Sequence, residues 1–129
     1  MFPKALRIEK KLDTPGITFD KDMLLFDING RSFPEHSGVF FAPVLQWLKD
    51  YKATKPTNVT ELRLRFEYLN TSSSKLLLEI LHIFADIEKQ SGTHLTVKWY
   101  YPGKDESIFA AGQEFEEISG LRFRYVRSK

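Results

Sequence analysis

Glu61-Leu62-Arg63-Leu64-Arg65-Phe66-Glu67-Tyr68 and the run behind it, Leu69-Asn70-Thr71-Ser72-Ser73-Ser74-Lys75-Leu76-Leu77-Leu78, decide how this chain folds. In the first stretch apolar Leu62, Leu64, Phe66 and Tyr68 alternate with charged Glu61, Arg63, Arg65 and Glu67. That period of two predicts a strand with one buried face. At Asn70 the pattern changes. Asn70 to Ser74 offers side-chain oxygens that accept the orphan amides of a helix start, and Leu76, Ile80, Ile83, Phe84 and Ile87 then fall on one stripe. Leu77, Leu78 and Leu81 widen the stripe, so the helix is expected to be deeply packed and to run to about Gln90, where Ser91-Gly92 stops it.

Downstream, Leu95, Val97, Trp99 and Tyr101 alternate with Thr96, Lys98 and Tyr100 in another strand, closed by Pro102-Gly103. Asp105 to Ile118 reads as a shorter helix burying Ile108, Ala111, Gly112 and Phe115, and Leu121, Phe123 and Tyr125 alternate with Arg122 and Arg124 in a last strand. Upstream, Phe40, Val44, Trp47, Leu48 and Tyr51 recur at helical spacing, ended by Lys55-Pro56-Thr57-Asn58. Pro43 lacks an amide proton, so this helix either begins near Ala42 or is kinked in its first two turns. Leu24, Phe26 and Ile28 lead to Asn29-Gly30, read as a tight hairpin turn into Arg31-Ser32-Phe33. Thr14-Pro15-Gly16 reads as a turn into Ile17 to Asp20, with a short strand between Leu6 and Leu12 before it.

A β-rich start followed by three helix-strand alternations implies parallel neighbours joined by helical crossovers. The later strands carry Arg63, Arg65, Lys98, Arg122 and Arg124 on one face, whereas a sheet covered on both sides would show continuous apolar runs. The expected fold class is therefore α/β, a mixed α+β sheet with helices mainly on one face and the other face wet. No internal repeat is expected, and residues 1–129 are expected to form one domain.

Composition limits the chemistry. The 129 residues are 42% hydrophobic and 28% charged, with 11 Phe, 5 Tyr and 2 Trp, enough to fill a core without staples. Cysteine is absent, which excludes thiolate catalysis, cysteine-based metal sites and disulfides. A net charge of +2 does not by itself imply nucleic acid or a membrane surface as partner. Met1-Phe2-Pro3-Lys4 meets charge too early for a secretory signal, and no apolar run approaches the ~20 residues of a membrane span, so a cytoplasmic protein is expected.

Asn70-Thr71-Ser72-Ser73-Ser74-Lys75 is the richest polar element. One cap would satisfy the helix start, worth about 1 kcal/mol, and four successive hydroxyls exceed that need. Helix amides and dipole also favour negative charge there, so capping and an anion or phosphorylation site both remain open, with Lys75 one turn on as a possible phosphate contact. A phosphate would add about two negative charges and nearly cancel the net +2. Glu35 and His36, within Phe33-Pro34-Glu35-His36-Ser37, hold the ingredients of acid-base chemistry without a nucleophile elbow, metal-ligand spacing or phosphate-binding loop; for Glu35 and Ser37 a helix cap with loop hydrogen bonding is the better reading. The basic face could bind anions or nucleic acid, but only Tyr100 is placed on it for stacking, and Glu61 and Glu67 dilute its charge. A solvated surface or a protein contact is the better reading. Trp47, Trp99, Phe115 and Phe123 are assigned to the core, and no cofactor is expected.

Asn29-Gly30-Arg31-Ser32-Phe33-Pro34-Glu35-His36-Ser37, Tyr68-Leu69-Asn70-Thr71-Ser72-Ser73-Ser74-Lys75, Val97-Lys98-Trp99-Tyr100-Tyr101 and Ala111-Gly112-Gln113-Glu114-Phe115 together resemble the SiaC family of bacterial regulatory phosphoproteins, from about Thr14 to Tyr125. The Asn-Thr-Ser-Ser segment is the most specific piece; His36 stands where the family often carries Asn. The resemblance implies a fold similar to STAS domains and anti-sigma-factor antagonists, and no catalysis by this chain. It implies phosphorylation on Thr71 by a dedicated Ser/Thr kinase and removal by a PP2C-type phosphatase. It further implies an effector partner such as a diguanylate cyclase, activated by the unphosphorylated form and tied to cyclic-di-GMP and biofilm formation. Glu35, Tyr68, Asn70, Ser72 and Lys75 are the neighbours expected to shape the docking surface around Thr71.

Overall fold

A computed structural model describes residues 4–104 and 106–128. Three strands come first: β1 (Leu6–Ile8), β2 (Gly16–Asp20) and β3 (Leu25–Ser32). Helix α1 (Ser37–Ala53), β4 (Glu61–Leu69), α2 (Thr71–Ser91), β5 (Thr96–Pro102), α3 (Glu106–Ser119) and β6 (Arg122–Ser128) follow. The six strands form one mixed sheet in sequence order, antiparallel from β1 to β3 and parallel from β3 to β6. Each parallel step is bridged by a helix, as crossover connections require.

Leu62, Leu64 and Phe66 of β4 are buried while Arg63 and Arg65 are exposed, and α1 packs on α2 and α2 on α3. The helices thus cover one face and leave the arginine-bearing face open. Between sheet and helices lie two aromatic groups, Phe19, Phe26, Trp47, Tyr51 and Phe84 on one side and Phe66, Trp99, Phe115 and Phe123 on the other. Trp99 is fully buried, and its indole N–H donates to the Ile108 carbonyl at 2.9 Å. A Cβ on Gly112 would stand 2.6 Å from the Trp99 Nε1, so glycine is what lets α3 approach β5 this closely.

Three local expectations change. Asn29-Gly30 is no hairpin turn: β3 runs through it, and the β2–β3 turn is instead at 21–24, with Leu24 at φ 54. Gly30 has φ +114 and marks a bulge, where the side chain of Lys10 fills the space a Cβ would need. That bulge also moves Tyr68. Gly30 faces Phe66 but Arg31 faces Tyr68, so Glu67 is passed over and the alternation slips by one. Tyr68, expected on the buried face, is 48% exposed as a result. Finally, α1 starts at Ser37 rather than near Ala42 and carries Pro43 within it.

Two helix-to-strand turns are built alike, a short repeat in a chain expected to have none. Glu88-Lys89-Gln90-Ser91-Gly92-Thr93-His94-Leu95 and Glu116-Glu117-Ile118-Ser119-Gly120-Leu121-Arg122-Phe123 share Glu, then Ser-Gly, then an apolar residue. Gly92 and Gly120 sit at φ 71 and 76 and donate to the carbonyls of Glu88 and Glu116 at 2.9 and 3.0 Å. The carboxylates of Glu88 and Glu116 then accept the amides of Leu95 and Phe123 at 2.8 and 2.9 Å. Each glutamate thereby closes its helix and opens the next strand.

Candidate functional site

At the carboxyl ends of β3 and β4 the first turns of α1 and α2 meet. The β3–β4 ladder is extended by the Asn70 amide, which donates to the Ser32 carbonyl at 3.0 Å and delivers the chain to the start of α2. Asn70 is the cap: in an extended conformation, its Oδ1 accepts the Ser73 amide at 2.9 Å. The hydroxyls after it divide sharply. Ser73 is fully buried and its hydroxyl meets that of Ser32, also fully buried, at 2.7 Å. The Ser72 hydroxyl lies 2.7 Å from that of Ser37 at the start of α1 and 3.3 Å from Asn70 Oδ1, and the Ser74 hydroxyl donates to the Asn70 carbonyl at 3.0 Å. Thr71 is exposed, and its hydroxyl makes no hydrogen bond among the described residues.

The excess of hydroxyls that the sequence showed is therefore largely structural. Ser73 ties α2 to the end of β3, Ser72 ties it to α1 and Ser74 bonds back to its own cap, which leaves the Thr71 hydroxyl without a partner among the described residues. Ser32 and Ser37 were the partners that pattern reading missed. Ser32 occupied an inward position of β3, after Phe26, Ile28 and Gly30, and a serine there signals a buried partner.

Electrostatics favour negative charge at this end. Neither α1 nor α2 has an acidic residue in its first turn, so two positive helix ends converge without a local carboxylate inside them. Lys75 is exposed one turn along α2. Glu35 and His36 precede α1, with side chains 89% and 76% exposed and Oε1 and Nε2 3.9 Å apart. The expected cap from Glu35 or Ser37 is not made: His36 occupies the cap position without a side-chain hydrogen bond, and the Ser37 hydroxyl is directed to Ser72 instead. Around the site, Tyr68 packs edge-on against Phe33 with ring centroids 5.6 Å apart, and Val39 is 76% exposed on the first turns of α1.

Comparison with known proteins fits this arrangement. The sequence model of the SiaC family regulatory phosphoprotein matches residues 8–128. The chain belongs to the SiaC family. An uncharacterized protein of Pseudomonas aeruginosa (strain UCBPP-PA14) is 32% identical over 118 residues, 92% of each chain. Apo-SiaC from Pseudomonas aeruginosa superposes with a TM-score of 0.83 at 29% identity, covering 95% of this chain and 98% of that one. A chain in the crystal structure of the diguanylate cyclase SiaD in complex with its activator SiaC, also from Pseudomonas aeruginosa, gives a TM-score of 0.85 at 30% identity, covering 95% and 99%. The one-sided mixed sheet read from the alternation of β4 to β6 is thus the SiaC fold. Among the described residues, no group of three or more His, Asp or Glu side chains could hold a metal ion, and no helix is long and apolar enough to cross a membrane.

Proposed function

We propose that this SiaC-family chain is a non-enzymatic partner switch in which the phosphorylation state of Thr71 decides which protein docks at the carboxyl end of the sheet. A Ser/Thr kinase adds the phosphate, a PP2C-type phosphatase removes it, and the unmodified surface binds an effector. A diguanylate cyclase is the effector class favoured by the SiaD–SiaC complex of the relative. The output would then be cyclic-di-GMP, with control of biofilm formation downstream. Glu35, Tyr68, Asn70, Ser72 and Lys75 are the neighbours proposed to form the surface a partner would read.

The observation that carries this reading is the division of labour in the hydroxyl run. The hydroxyls of Ser72, Ser73 and Ser74 are tied into hydrogen bonds, whereas that of Thr71, exposed at the first position of a 21-residue helix, has none among the described residues. Two converging helix N-termini favour the phosphate dianion, and the switch acts by charge at a rigid surface rather than by refolding. Glu35 and His36, open to solvent, lack the enclosed setting that would tune them for acid-base catalysis, which favours the switch over a small enzyme.

Intact-mass and fragment spectra of the chain purified from its own host test the assignment. The wild type should carry one phosphate on Thr71 that Thr71→Ala lacks; an unchanged phosphate on the variant would overturn it.

A further inference from the structure

The open face of the sheet gathers cations on neighbouring strands. Register places Arg63, Lys98 and Arg124 side by side on β4, β5 and β6, three cations on strands about 4.8 Å apart, with Asp27 of β3 at the near end of the row. Arg65 and Arg122 flank the row, so the face over β4 to β6 holds these five cations against Glu61 and Glu67. Like charges set opposite one another on neighbouring strands oppose folding. Glu61 relieves part of this: its carboxylate lies 2.6 Å from Arg63 Nε and 3.3 Å from Lys98 Nζ. Burial alone would raise the Glu61 pKa, and these hydrogen bonds and charges outweigh it, holding the carboxyl below its ordinary range. Arg122 and Arg124 have no ion pair or hydrogen bond among the described residues.

The geometry points to this face as a docking surface for an acidic polypeptide segment, rich in Glu and Asp, on a partner protein. It meets the Thr71 surface at Tyr68, lies on the opposite side of the sheet from the helices, and stands whether or not Thr71 is the switch. Charge complementarity selects an anionic partner, and the rest of the face selects its class. Single-stranded nucleic acid needs free aromatic faces, but the Tyr100 ring is already covered by the Arg65 guanidinium, 4.3 Å from its centroid. Insertion into a membrane takes large apolar side chains, and of the large exposed hydrophobic residues among those described, Leu12, Met23, Leu24, Phe33, Val39, Tyr68 and Ile118, β4 to β6 carry Tyr68 alone, at the end of β4 beyond the bulge.

Fluorescently labelled poly-L-glutamate is the probe, titrated at ~0.15 M salt. Arg122→Ser/Arg124→Ser should weaken its binding about tenfold, while Lys49→Ser/Lys89→Ser, which removes the same charge from exposed helix positions, should change it by less than about twofold. The thermal midpoint of the arginine variant should equal or exceed that of the wild type, because the row opposes folding. Equal weakening in both variants would overturn the proposal as a net-charge effect. A midpoint several degrees lower in the arginine variant would overturn it by showing that the arginines hold the sheet. Tighter binding of oligo(dT) or of phosphatidylglycerol vesicles than of poly-L-glutamate, lost in the arginine variant, would overturn it in favour of a nucleic acid or a membrane.

Discussion

The hydroxyl oxygens of Ser37 and Ser72 lie 2.7 Å apart although 35 positions separate them, and through that contact the first turn of α1 is tied to the first turn of α2. Immediately beneath, Ser32 and Ser73 repeat the device with the last residue of β3, this time out of reach of water. The end of the sheet that carries Thr71 is therefore held by polar contacts as well as by the apolar packing of Phe41 and Leu77. A surface read by a partner through charge has to be rigid to discriminate, and these four serines supply that rigidity.

The buried pair should behave differently from the outer one. Ser73→Ala leaves the Ser32 hydroxyl unpartnered in the interior and should cost about 1–3 kcal/mol, while Ser32→Ala/Ser73→Ala should cost clearly less than the two single changes summed. Ser37→Ala, at a contact that water can replace, should cost about 1 kcal/mol or less. A urea-denaturation double-mutant cycle measures this; additive losses at Ser32 and Ser73 would show that their contact carries no coupling.

Asn70 and Thr71 are adjacent yet should separate cleanly. Asn70→Ala removes the acceptor of the Ser73 amide and should cost about 1 kcal/mol. Thr71→Asp places a carboxylate in the first turn of a helix that has none and should leave stability unchanged or raise it by about 0.3–1 kcal/mol. Thermal melts of both variants decide the point. A loss of more than about 2 kcal/mol in Thr71→Asp would show that the position cannot accommodate a phosphate-like charge without disturbing the fold.

How much of this was legible depended on how far each signal reached. The alternation of Leu62, Leu64 and Phe66 with Arg63 and Arg65 disclosed a half-open sheet, because side-chain period is a property of one strand. The start of α2 at Asn70 was equally plain, since a cap is local. Gly30 was misread as a turn because Asn-Gly has the same conformational freedom in a bulge as in a hairpin, and only the Lys10 side chain packed against it distinguishes them. Tyr68 followed that error, since a bulge reverses every facing beyond it. Likewise the four hydroxyls after Asn70 look interchangeable in sequence; what separates Ser72 and Ser73 from Thr71 is contact with Ser37 and Ser32, on other elements. The paired Glu88 and Glu116 turns were visible as Glu-x-x-Ser-Gly but too short to register as a repeat.

Gly112 offers a test of packing against helix propensity. Alanine favours a helix interior over glycine by about 1 kcal/mol, which on propensity alone would make Gly112→Ala stabilising. The added methyl would instead meet the Trp99 indole, whose N–H must also keep its bond to the Ile108 carbonyl. Overpacking should win, with a net loss of about 1–3 kcal/mol and a changed Trp99 fluorescence; an increase in stability would mean that α3 can move away from β5 freely.

Two tyrosines should betray their surroundings in alkali. Burial pushes the Tyr51 phenol up to about 12 from its ordinary value, and Tyr125 is raised as well, first by burial and then by its 2.7 Å hydrogen bond to the Glu116 carboxylate and that group's charge. The folded chain therefore holds these protons more tightly than the unfolded chain does. Their contribution to stability is complete below the ordinary phenol value of about 10; that of Tyr51 is lost as pH rises through about 12, and that of Tyr125 is likewise lost only in strong alkali. Phenolate absorbance followed against pH should show two delayed ionisations in the native protein. Tyr51→Phe should remove the one near 12, and Glu116→Gln should bring the Tyr125 ionisation to lower pH by removing the neighbouring negative charge. If Glu116→Gln left that ionisation where it was, the glutamate would be holding only the Phe123 amide, and its tie to Tyr125 would have no electrostatic consequence.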